Sequence, residues 1–361
     1  MSVYWNTRVT RLSPYVPGEQ PGDKKFVKLN TNENPFPPSP KVIEAIKKAA
    51  AEDLRLYPDP ACAEFREAVA ARYHVRPEQV FAGNGSDEVL AFAFGAFFEN
   101  GAPVLFPDIT YSFYPVYAGL WGIPCRTVAL DEDFSIRPGD YRVPSGGLVF
   151  PNPNAPTGRD LPLGEILSLA ESLEAQKRVL ILDEAYAAFG AESAVPHING
   201  HPNLLTVHTL SKSASLAGLR VGFAIGSGEL IEGLCRMRDS FNSYTLDRLA
   251  LAGAAAAMRD SAWYDRINRG VIATRERVSA ELSALGFTVI PSKANFVFVK
   301  PPGGKGNASR GDVFFGALRG RGILVRHFNK PRIADYLRVS IGTDGEMDLF
   351  LAACGEILAE A

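Results

Sequence analysis

The chain has 361 residues, of which 46% are hydrophobic and 22% charged, and its formal net charge is −2. This length allows two domains with a buried core, and the near-zero charge argues against nucleic acid or anionic lipid as a partner. The four cysteines are widely spaced and form no Cys-x-x-Cys pair; this argues against a disulfide framework or a zinc ribbon and indicates a reducing cytoplasm.

The first residues lack the continuous apolar segment that is typical of a signal peptide. Two apolar runs, near 89–98 and 249–258, are too short to span a bilayer. We therefore expect a cytoplasmic protein without a membrane anchor.

Strand-like and helix-like segments alternate from residue 80 onwards, a pattern typical of an α/β fold with a mostly parallel sheet. The pattern predicts strands at 80–82, 103–106, 124–129, 147–150, 178–182, 204–208 and 220–225. Helices are predicted at 86–98, 161–176 and 229–241. A long helix over 261–285 leads to a second, smaller domain, in which two helices alternate with strands at 287–290, 295–300, 323–328 and 336–341.

The glycine-rich segment 83–87 follows the first predicted strand and begins a helix. Its free backbone N–H groups and the helix dipole could bind a phosphate group, although a glycine turn at a strand end is also a common structural feature. Glu88 stands where the dinucleotide pattern G-x-G-x-x-G has its third glycine. The segment therefore disfavours a nicotinamide enzyme.

Lys212 is the residue with the most informative surroundings. Thr209 and Ser211 offer hydroxyl donors, and Arg220 follows eight positions later with a guanidinium suited to a phosphate. Alone, a loop lysine is more often a solvated surface charge. With these neighbours it could be an imine-forming nucleophile and a proton carrier, because nearby positive charge and desolvation would lower its pKa. This is the chemistry of pyridoxal 5'-phosphate.

Asp183 ends a strongly apolar predicted strand, and a carboxylate buried there without a partner costs several kcal/mol. We expect the partner to be a protonated pyridine nitrogen, which the ion pair would keep charged. Tyr186, three residues later, could donate a hydrogen bond to a phenolic oxygen. An isolated aspartate at a strand end more often caps a helix or faces solvent, so this interpretation depends on Tyr186 and Lys212 occurring with it.

The chain resembles the fold-type I pyridoxal-phosphate aminotransferases over essentially its whole length, and within them the histidinol-phosphate aminotransferase family. The resemblance is carried by the motifs LSPY (12–15), LNTNENP (29–35), LYP (56–58), PNAPTG (153–158), DEAY (183–186), LSK (210–212) and LRVSIG (337–342). It implies a large cofactor-binding domain over 46–265, with a mostly parallel sheet flanked by helices. A small α/β domain over 266–361 would follow, and an N-terminal arm and segment over 1–45 would pack on it.

The resemblance also implies roles for individual residues. Lys212 would form the Schiff base with the cofactor, Asp183 would pair with its pyridine nitrogen and Tyr186 would bind its phenolic oxygen. Tyr111 would stack on the ring, although it could equally be an ordinary packing residue. Tyr57 would reach the phosphate of the neighbouring subunit's cofactor, which implies a homodimer with shared active sites. Other residues expected around the cofactor, chiefly at its phosphate, are Gly85, Ser86, Asp87, Thr209, Ser211 and Arg220.

The chain departs from the family pattern at one position. The family commonly has an asparagine directly before the proline of its Pro-Thr-Gly motif, hydrogen-bonded to the phenolic oxygen, where this chain has Ala155. We hypothesise that Asn154 supplies the missing donor, because Pro153 and Pro156 restrict the turn.

For the substrate, the resemblance implies a site formed by Tyr15, Asn32, Arg326 and Arg338, where two guanidiniums suit a phosphate dianion. The implied reaction, a step of histidine biosynthesis, interconverts histidinol phosphate plus 2-oxoglutarate and imidazole acetol phosphate plus glutamate. Histidinol phosphate would be the physiological amine product. Because Arg338 alone would equally bind an α-carboxylate, an aromatic amino-acid aminotransferase stays open, as does a threonine-phosphate decarboxylase. A non-catalytic cofactor-binding regulator would need an additional DNA-binding or partner-binding segment, for which the sequence gives no indication.

Two further patterns are weaker. His197 and His201 have the i, i+4 spacing of a helical metal site, but Pro196, Gly200 and Pro202 oppose a helix, so we expect no metal. A Ser-Lys hydrolase is disfavoured because the sequence has no G-x-S-x-G motif.

Overall fold

The computed structural model describes residues 2–15, 18–20, 26–99, 101–303 and 309–360. Up to residue 183 its helices and strands are α1 (Thr7–Arg11), β1 (Val27–Lys28), α2 (Pro40–Ala49), α3 (Ala63–Tyr73), β2 (Val80–Gly83), α4 (Gly85–Phe97), β3 (Val104–Pro107), α5 (Tyr114–Trp121), β4 (Cys125–Val128), β5 (Gly147–Pro151), α6 (Leu163–Glu174) and β6 (Leu180–Asp183). The later ones are β7 (Leu204–Thr209), β8 (Gly222–Ile225), α7 (Gly228–Phe241), α8 (Arg248–Arg259), α9 (Ser261–Ala284), β9 (Thr288–Ile290), β10 (Phe296–Lys300), α10 (Arg310–Gly320), β11 (Ile323–Leu324), β12 (Arg326–His327), β13 (Leu337–Ser340) and α11 (Asp344–Ala359).

Seven strands form the central sheet in the order β2-β8-β7-β6-β5-β3-β4. Neighbouring strands are parallel, except that β8 runs antiparallel to both β7 and β2. The predicted α/β fold with a mostly parallel sheet is therefore confirmed. The strand predicted at 220–225 begins only at Gly222, because Arg220 has a left-handed backbone with a φ of 54° that does not continue a strand.

Helices cover both faces of the central sheet, which explains why its strands are continuous apolar runs. In β6, Ile181 faces the core formed with α4, α5 and α7, whereas Leu180 and Leu182 face the core formed with α6. Because side chains alternate along a strand, Asp183 lies on the same face as Ile181. The carboxyl ends of β5, β6 and β7 are adjacent, and this is where an open α/β sheet binds ligands.

The C-terminal part contains a second, antiparallel sheet in the order β12-β13-β10-β9, which packs with α10 and α11 around its own core. The strand predicted at 323–328 is divided, because β11 pairs with β1 near the N-terminus while β12 pairs with β13. The division of the chain into 1–45, 46–265 and 266–361 stays a prediction, and its boundaries fall inside α2 and α9.

The helices predicted at 86–98, 161–176, 229–241 and 261–285 are confirmed as α4, α6, α7 and α9. The helices α1, α2, α3 and α8 had no prediction, whereas α5 lies between the strands predicted at 103–106 and 124–129, where the alternation implies a helix. Both α2 and α3 pack against α8. Among the described helices, none has both the length and the apolar character needed to cross a membrane.

Candidate active site

A cavity of about 260 Å³ lies where β5, β6 and β7 end, at Pro151, Asp183 and Thr209. It brings together most of the residues that the sequence analysis singled out. Besides Asp183 and Thr209, those that line it are Tyr15, Asn32, Ser86, Asp87, Tyr111, Tyr186, Ser211, Lys212, Arg220, Arg326 and Arg338.

A larger cavity of about 820 Å³ lies on the other side of the Lys212 segment, against Glu184 and His208. Of the residues that the structure describes, Thr209 alone lines both cavities. Because the other predicted residues do not reach the larger cavity, the smaller one is the candidate active site.

Lys212 follows β7 in a loop and turns its amine into the candidate site. Its Nζ donates to the backbone oxygen of Thr31 at 2.8 Å. Its own backbone oxygen accepts a hydrogen bond of 3.1 Å from Nδ2 of Asn34. Burial, with a further contribution from the positive charge of Arg338, lowers the pKa of Lys212 to about 8. A substantial fraction of the amine is therefore neutral near pH 8, the form that can act as a nucleophile or a base.

Asp183 is buried at the end of β6 and accepts two hydrogen bonds. Tyr114 donates its hydroxyl to Oδ2 at 3.1 Å, and the backbone N–H of Ala185 donates to Oδ1 at 3.1 Å. Burial nevertheless raises the pKa of Asp183 to about 6, because two neutral donors do not replace the water that a carboxylate loses. A cationic N–H in the cavity would complement this carboxylate.

The start of α4 and the beginning of β8 form a narrow cradle beside Arg220. Gly85 has a φ of 80°, and a Cβ on it would lie only 2.7 Å from Nη2 of Arg220. A side chain on residue 85 would force the end of the Arg220 side chain to move, and the positive φ also favours glycine at this position. Nη1 of Arg220 also lies 3.4 Å from Oγ of Ser211. The residue that caps α4, Asn84, makes no side-chain cap bond in the described structure. The first-turn N–H groups of α4 and the guanidinium can thus receive an anion.

Asp87, in the first turn of α4, holds two other residues of the site in place. One carboxylate oxygen lies 2.9 Å from Nη2 of Arg220, and the other accepts a hydrogen bond of 2.7 Å from the Tyr111 hydroxyl. The Tyr117 hydroxyl lies 3.4 Å from that second oxygen. Asp87 thus fixes the orientation of Arg220 and of the Tyr111 ring, which faces the cavity.

Arg326 and Arg338 both line the cavity and lie over the ring of Phe328, with each guanidinium carbon 5.6 Å from the ring centre. Arg338 also donates from Nη2 to the backbone oxygen of Asn30 at 3.1 Å. Its Nε is buried and has no hydrogen-bond partner within the part of the chain that the structure describes. Tyr15 lines the same cavity and stacks on Phe113 with ring centres 4.6 Å apart.

The structure contradicts the hypothesis for Asn154. Its amide nitrogen donates to the backbone oxygen of Ile109 at 2.9 Å and to Oγ1 of Thr157 at 3.0 Å, and its Oδ1 accepts from Oγ1 of Thr110 at 2.9 Å. Because both amide hydrogens are already donated, Asn154 cannot replace the missing asparagine. The neighbouring Ala155, which has no side-chain donor, lines the cavity instead.

Two other predicted residues lie outside the cavity lining. Gly85 is set back behind Arg220 in the cradle. Tyr57 is 78% exposed and stacks on Tyr244 with ring centres 4.5 Å apart, so it does not reach this chain's own cavity. As for metals, no group of three or more His, Cys, Asp or Glu side chains among the described residues could hold an ion.

Several residues of the site had no predicted role. Tyr114 contacts Asp183, the Thr31 backbone contacts Lys212, and Ser340 contacts Asn32. Asn34 and Thr31 lie in the motif at 29–35, which indicated only family membership. Tyr114 stands in an aromatic run near Tyr111, and the sequence contains no signal that it reaches across the sheet to β6.

The chain matches known proteins over nearly its whole length. Residues 24–353 match the family described as aminotransferase class I and II. A histidinol-phosphate aminotransferase of Aromatoleum aromaticum is 54% identical over 99% of this chain and 100% of its own length. One of Clostridium acetobutylicum is 54% identical over the same shares of the two chains.

Solved structures match the fold as well. Histidinol-phosphate aminotransferase from Sinorhizobium meliloti, in complex with pyridoxal-5'-phosphate, has a TM-score of 0.89 at 26% identity over 100% of this chain and 99% of that chain. Aspartate aminotransferase from Thermus thermophilus with maleate, at 20% identity over 98% and 99% of the two chains, has the same fold with a TM-score of 0.81. The chain therefore belongs to the aminotransferase class I and II family, as a pyridoxal-phosphate-dependent aminotransferase of the histidinol-phosphate aminotransferase group.

Proposed function

We propose that this chain converts histidinol phosphate and 2-oxoglutarate to imidazole acetol phosphate and glutamate, reversibly and in the cytoplasm. The observation that carries the proposal is that Lys212, Asp183 and Tyr186 line one cavity together with Arg326 and Arg338. The first three suit reaction at the cofactor, and the two guanidiniums suit a substrate with an anionic group. Relatives at 54% identity, named for histidinol phosphate, support that substrate.

The residues present fit pyridoxal 5'-phosphate at both ends of the cavity. At one end, Arg220, Ser211 and the N-terminus of α4 converge around a position suited to a phosphate. At the other end, the buried Asp183 has only neutral donors and would be stabilised by a charged ring N–H. These complementary charges support the assignment of the phosphate to the Arg220 side and of the ring nitrogen to Asp183.

When bound, pyridoxal 5'-phosphate supplies an aldehyde that combines with an amine and a ring that withdraws electrons from it. Lys212, with a pKa lowered to about 8, would bind that aldehyde and, once released, carry a proton from the substrate carbon. Asp183, with a pKa of about 6, is mostly ionised at neutral pH and would keep the proton on the ring nitrogen. Tyr186 would donate its hydroxyl hydrogen to the phenolic oxygen.

The two arginines favour a phosphorylated substrate over an aromatic amino acid. Arg338 has a buried Nε–H that an oxygen of the substrate would satisfy, and leaving such a group unpaired costs about 1–3 kcal/mol. Arg326 lies over the same Phe328 ring, so the site places two positive charges close together. A phosphate dianion matches two guanidiniums, whereas phenylalanine brings only one anionic group, its carboxylate, to the site.

Comparing three amino donors tests this substrate. We expect the cofactor's visible absorbance to be lost at least about 10²-fold faster with histidinol phosphate than with phenylalanine. The phosphate gains charge-assisted hydrogen bonds from the arginines, worth about 1.5–3 kcal/mol each. Threonine phosphate serves as the third donor, with and without 2-oxoglutarate. Equal or faster conversion of phenylalanine would contradict the substrate, and release of carbon dioxide from threonine phosphate without an oxo acid would indicate a decarboxylase.

We also propose a homodimer in which Tyr57 of each subunit reaches the cofactor phosphate of the other. The support in this chain is the exposure of a short apolar segment. Leu54, Leu56 and Tyr57 are all exposed, and Tyr57 stacks on the exposed Tyr244. Exposed apolar side chains that lie together are typical of protein interfaces.

Removing the Tyr57 hydroxyl should weaken cofactor binding. We expect Tyr57→Phe to raise the dissociation constant of pyridoxal 5'-phosphate by about 10-fold to 100-fold, because one hydrogen bond to a charged group is lost. Tyr244→Phe is the matched control, since it removes a neighbouring exposed hydroxyl and should leave binding unchanged. Fluorescence titration measures the affinity for the cofactor, and sedimentation measures the mass of the protein in solution. The shared site would be refuted if the protein sedimented as a monomer and Tyr57→Phe bound the cofactor with unchanged affinity.

A further inference from the structure

We propose that Asn32 and Ser340 fix the direction of the Tyr186 hydroxyl proton and so act as positioning residues for the reaction. This inference rests on the proposed function, in which Tyr186 donates that proton to the phenolic oxygen of the cofactor. The three residues come from distant parts of the chain: the segment before α2, the end of β13 and the loop after β6. They meet in a chain of hydrogen bonds whose donors and acceptors can be assigned one by one.

The first link joins the backbone of Asn32 to Ser340. The backbone nitrogen of Asn32 lies 2.8 Å from Oγ of Ser340. A backbone N–H can only donate, so the serine oxygen must accept this bond. The single hydrogen of the serine hydroxyl is therefore available for another acceptor.

The second link sets the orientation of the Asn32 amide. Oγ of Ser340 lies 2.9 Å from Oδ1 of Asn32 and donates its hydrogen there. With the amide oxygen turned towards Ser340, the amide nitrogen must face the opposite way, towards Tyr186. The hydrogen-bond network thus distinguishes the oxygen of this amide from its nitrogen.

The third link acts on Tyr186. Nδ2 of Asn32 lies 2.9 Å from the Tyr186 hydroxyl oxygen. An amide NH₂ group only donates, so the tyrosine oxygen accepts and its own hydrogen must point away from Asn32. Since Tyr186 lines the cavity and packs edge-on against Phe296, we place that hydrogen on the cavity side.

The position of Asn32 is itself fixed. Asn32 and Ser340 are 1% and 3% exposed, and Nδ2 of Asn295 donates to the backbone oxygen of Asn32 at 3.0 Å. Asn32 has a φ of 56°, a left-handed conformation that asparagine adopts more readily than most residues. Because Ala155 carries no donor and Asn154 is engaged elsewhere, the phenolic oxygen depends all the more on Tyr186.

Three variants and a control test the inference on the protein reconstituted with pyridoxal 5'-phosphate. Asn32→Gly removes the amide but keeps a residue that tolerates the left-handed backbone, and Ser340→Ala breaks the first two links without changing charge. Tyr186→Phe removes the donor itself. Lys177→Gly, at an exposed position with a φ of 55°, controls for the glycine substitution. The readout is the pH midpoint of the bound cofactor's visible absorbance, with urea unfolding measured in parallel.

We expect Tyr186→Phe to raise that midpoint by about one pH unit. Without the tyrosine donor, the negative charge on the cofactor's phenolic oxygen is less stabilised, so the Lys212 nitrogen bound to the cofactor holds its proton more tightly. Asn32→Gly and Ser340→Ala should raise the midpoint in the same direction by less, and Lys177→Gly should leave it unchanged. In the Tyr186→Phe background, Asn32→Gly should add no further shift.

Two results would overturn the inference. One is that Tyr186→Phe shifts the pH midpoint while Asn32→Gly and Ser340→Ala both keep the wild-type midpoint. This result would count whether or not the two variants are less stable in urea. The other is an equal shift from Asn32→Gly with and without the Tyr186 hydroxyl. If Asn32→Gly does not fold, the same comparison is made with Ser340→Ala. A wild-type chain that takes up no cofactor would overturn the proposed function together with this inference, whereas unshifted variants of a titrating protein overturn the inference alone.

Discussion

Replacing Lys212 by alanine should lower the rate of the half-reaction with histidinol phosphate by on the order of 10⁴-fold or more. The variant loses both the amine that would bind the cofactor aldehyde and the group that would carry the proton. Nζ of Lys212 donates to the Thr31 backbone oxygen, and the charged groups that act on it are the guanidiniums of Arg338 and Arg220 and the carboxylates of Glu33 and Asp87. None of these described groups is an amine that could bind the aldehyde. Single-turnover loss of the cofactor absorbance in a stopped-flow instrument measures the rate.

Lys41→Ala is the matched control. Its side chain is 71% exposed and pairs with Asp260 away from the cavity, so the rate should stay within about twofold, since surface ion pairs contribute little. If Lys212→Ala kept more than about one hundredth of the wild-type rate, the proton transfer would have to be assigned to another residue.

Asp183→Asn should affect activity and stability in opposite directions. The asparagine has the same shape and can still accept from the Ala185 N–H while its own NH₂ donates to the Tyr114 hydroxyl. It cannot hold a proton on the ring nitrogen by charge. We expect the half-reaction rate to fall by at least about 10²-fold, the usual cost of losing one preorganised electrostatic interaction.

The stability change follows from the raised pKa of Asp183. Burial raises that pKa from 3.8 to about 6, so the folded apoprotein binds a proton that the unfolded chain releases. The associated stability is present below pH 3.8 and is lost as the pH rises through 6. Without a carboxyl group, Asp183→Asn avoids this loss. Its apoprotein should therefore be more stable than the wild type by up to about 3 kcal/mol at pH 8, and by about half as much at pH 5.

Urea unfolding of the two apoproteins at both pH values gives the free energies of unfolding. Burial, with a smaller contribution from the charge of Asp183, raises the pKa of Glu184 to about 7. Removing the Asp183 charge lowers the Glu184 pKa in the variant, which changes the stability at pH 8 in the same direction as the loss of Asp183 itself. An asparagine variant that is less stable than the wild type at both pH values would show that Asp183 is already compensated within the apoprotein.

Local sequence patterns were sufficient for the parts of the fold that depend on nearby residues. The apolar run before Asp183 predicts a buried strand because parallel strands covered on both faces need continuous hydrophobic side chains. The spacing of Lys212 and Arg220 predicts one anion site because both lie in the loop between β7 and β8. The division of the strand predicted at 323–328 had no local cause, since it depends on pairing with β1, almost 300 residues earlier.

The residues that the sequence did not reveal act through distant contacts. Tyr114 contacts Asp183 across 69 positions and Ser340 contacts Asn32 across 308. Neither residue type is unusual in its own segment, so no local pattern marks it. Asn154 shows the opposite error: its position beside Ala155 suggested a donor, but the turn directs its amide to Ile109 and Thr157. A one-residue offset in a tight turn reverses the direction of a side chain.

Borohydride reduction of the protein with bound pyridoxal 5'-phosphate, followed by peptide mass mapping, shows whether Lys212 is the residue that holds the cofactor. Reduction fixes the cofactor on whichever amine holds it. We predict one phosphopyridoxyl group per chain, on the peptide that contains Lys212. An unmodified Lys212 in protein that has acquired the cofactor, or a label distributed over other lysines, would show that Lys212 is not the Schiff-base lysine.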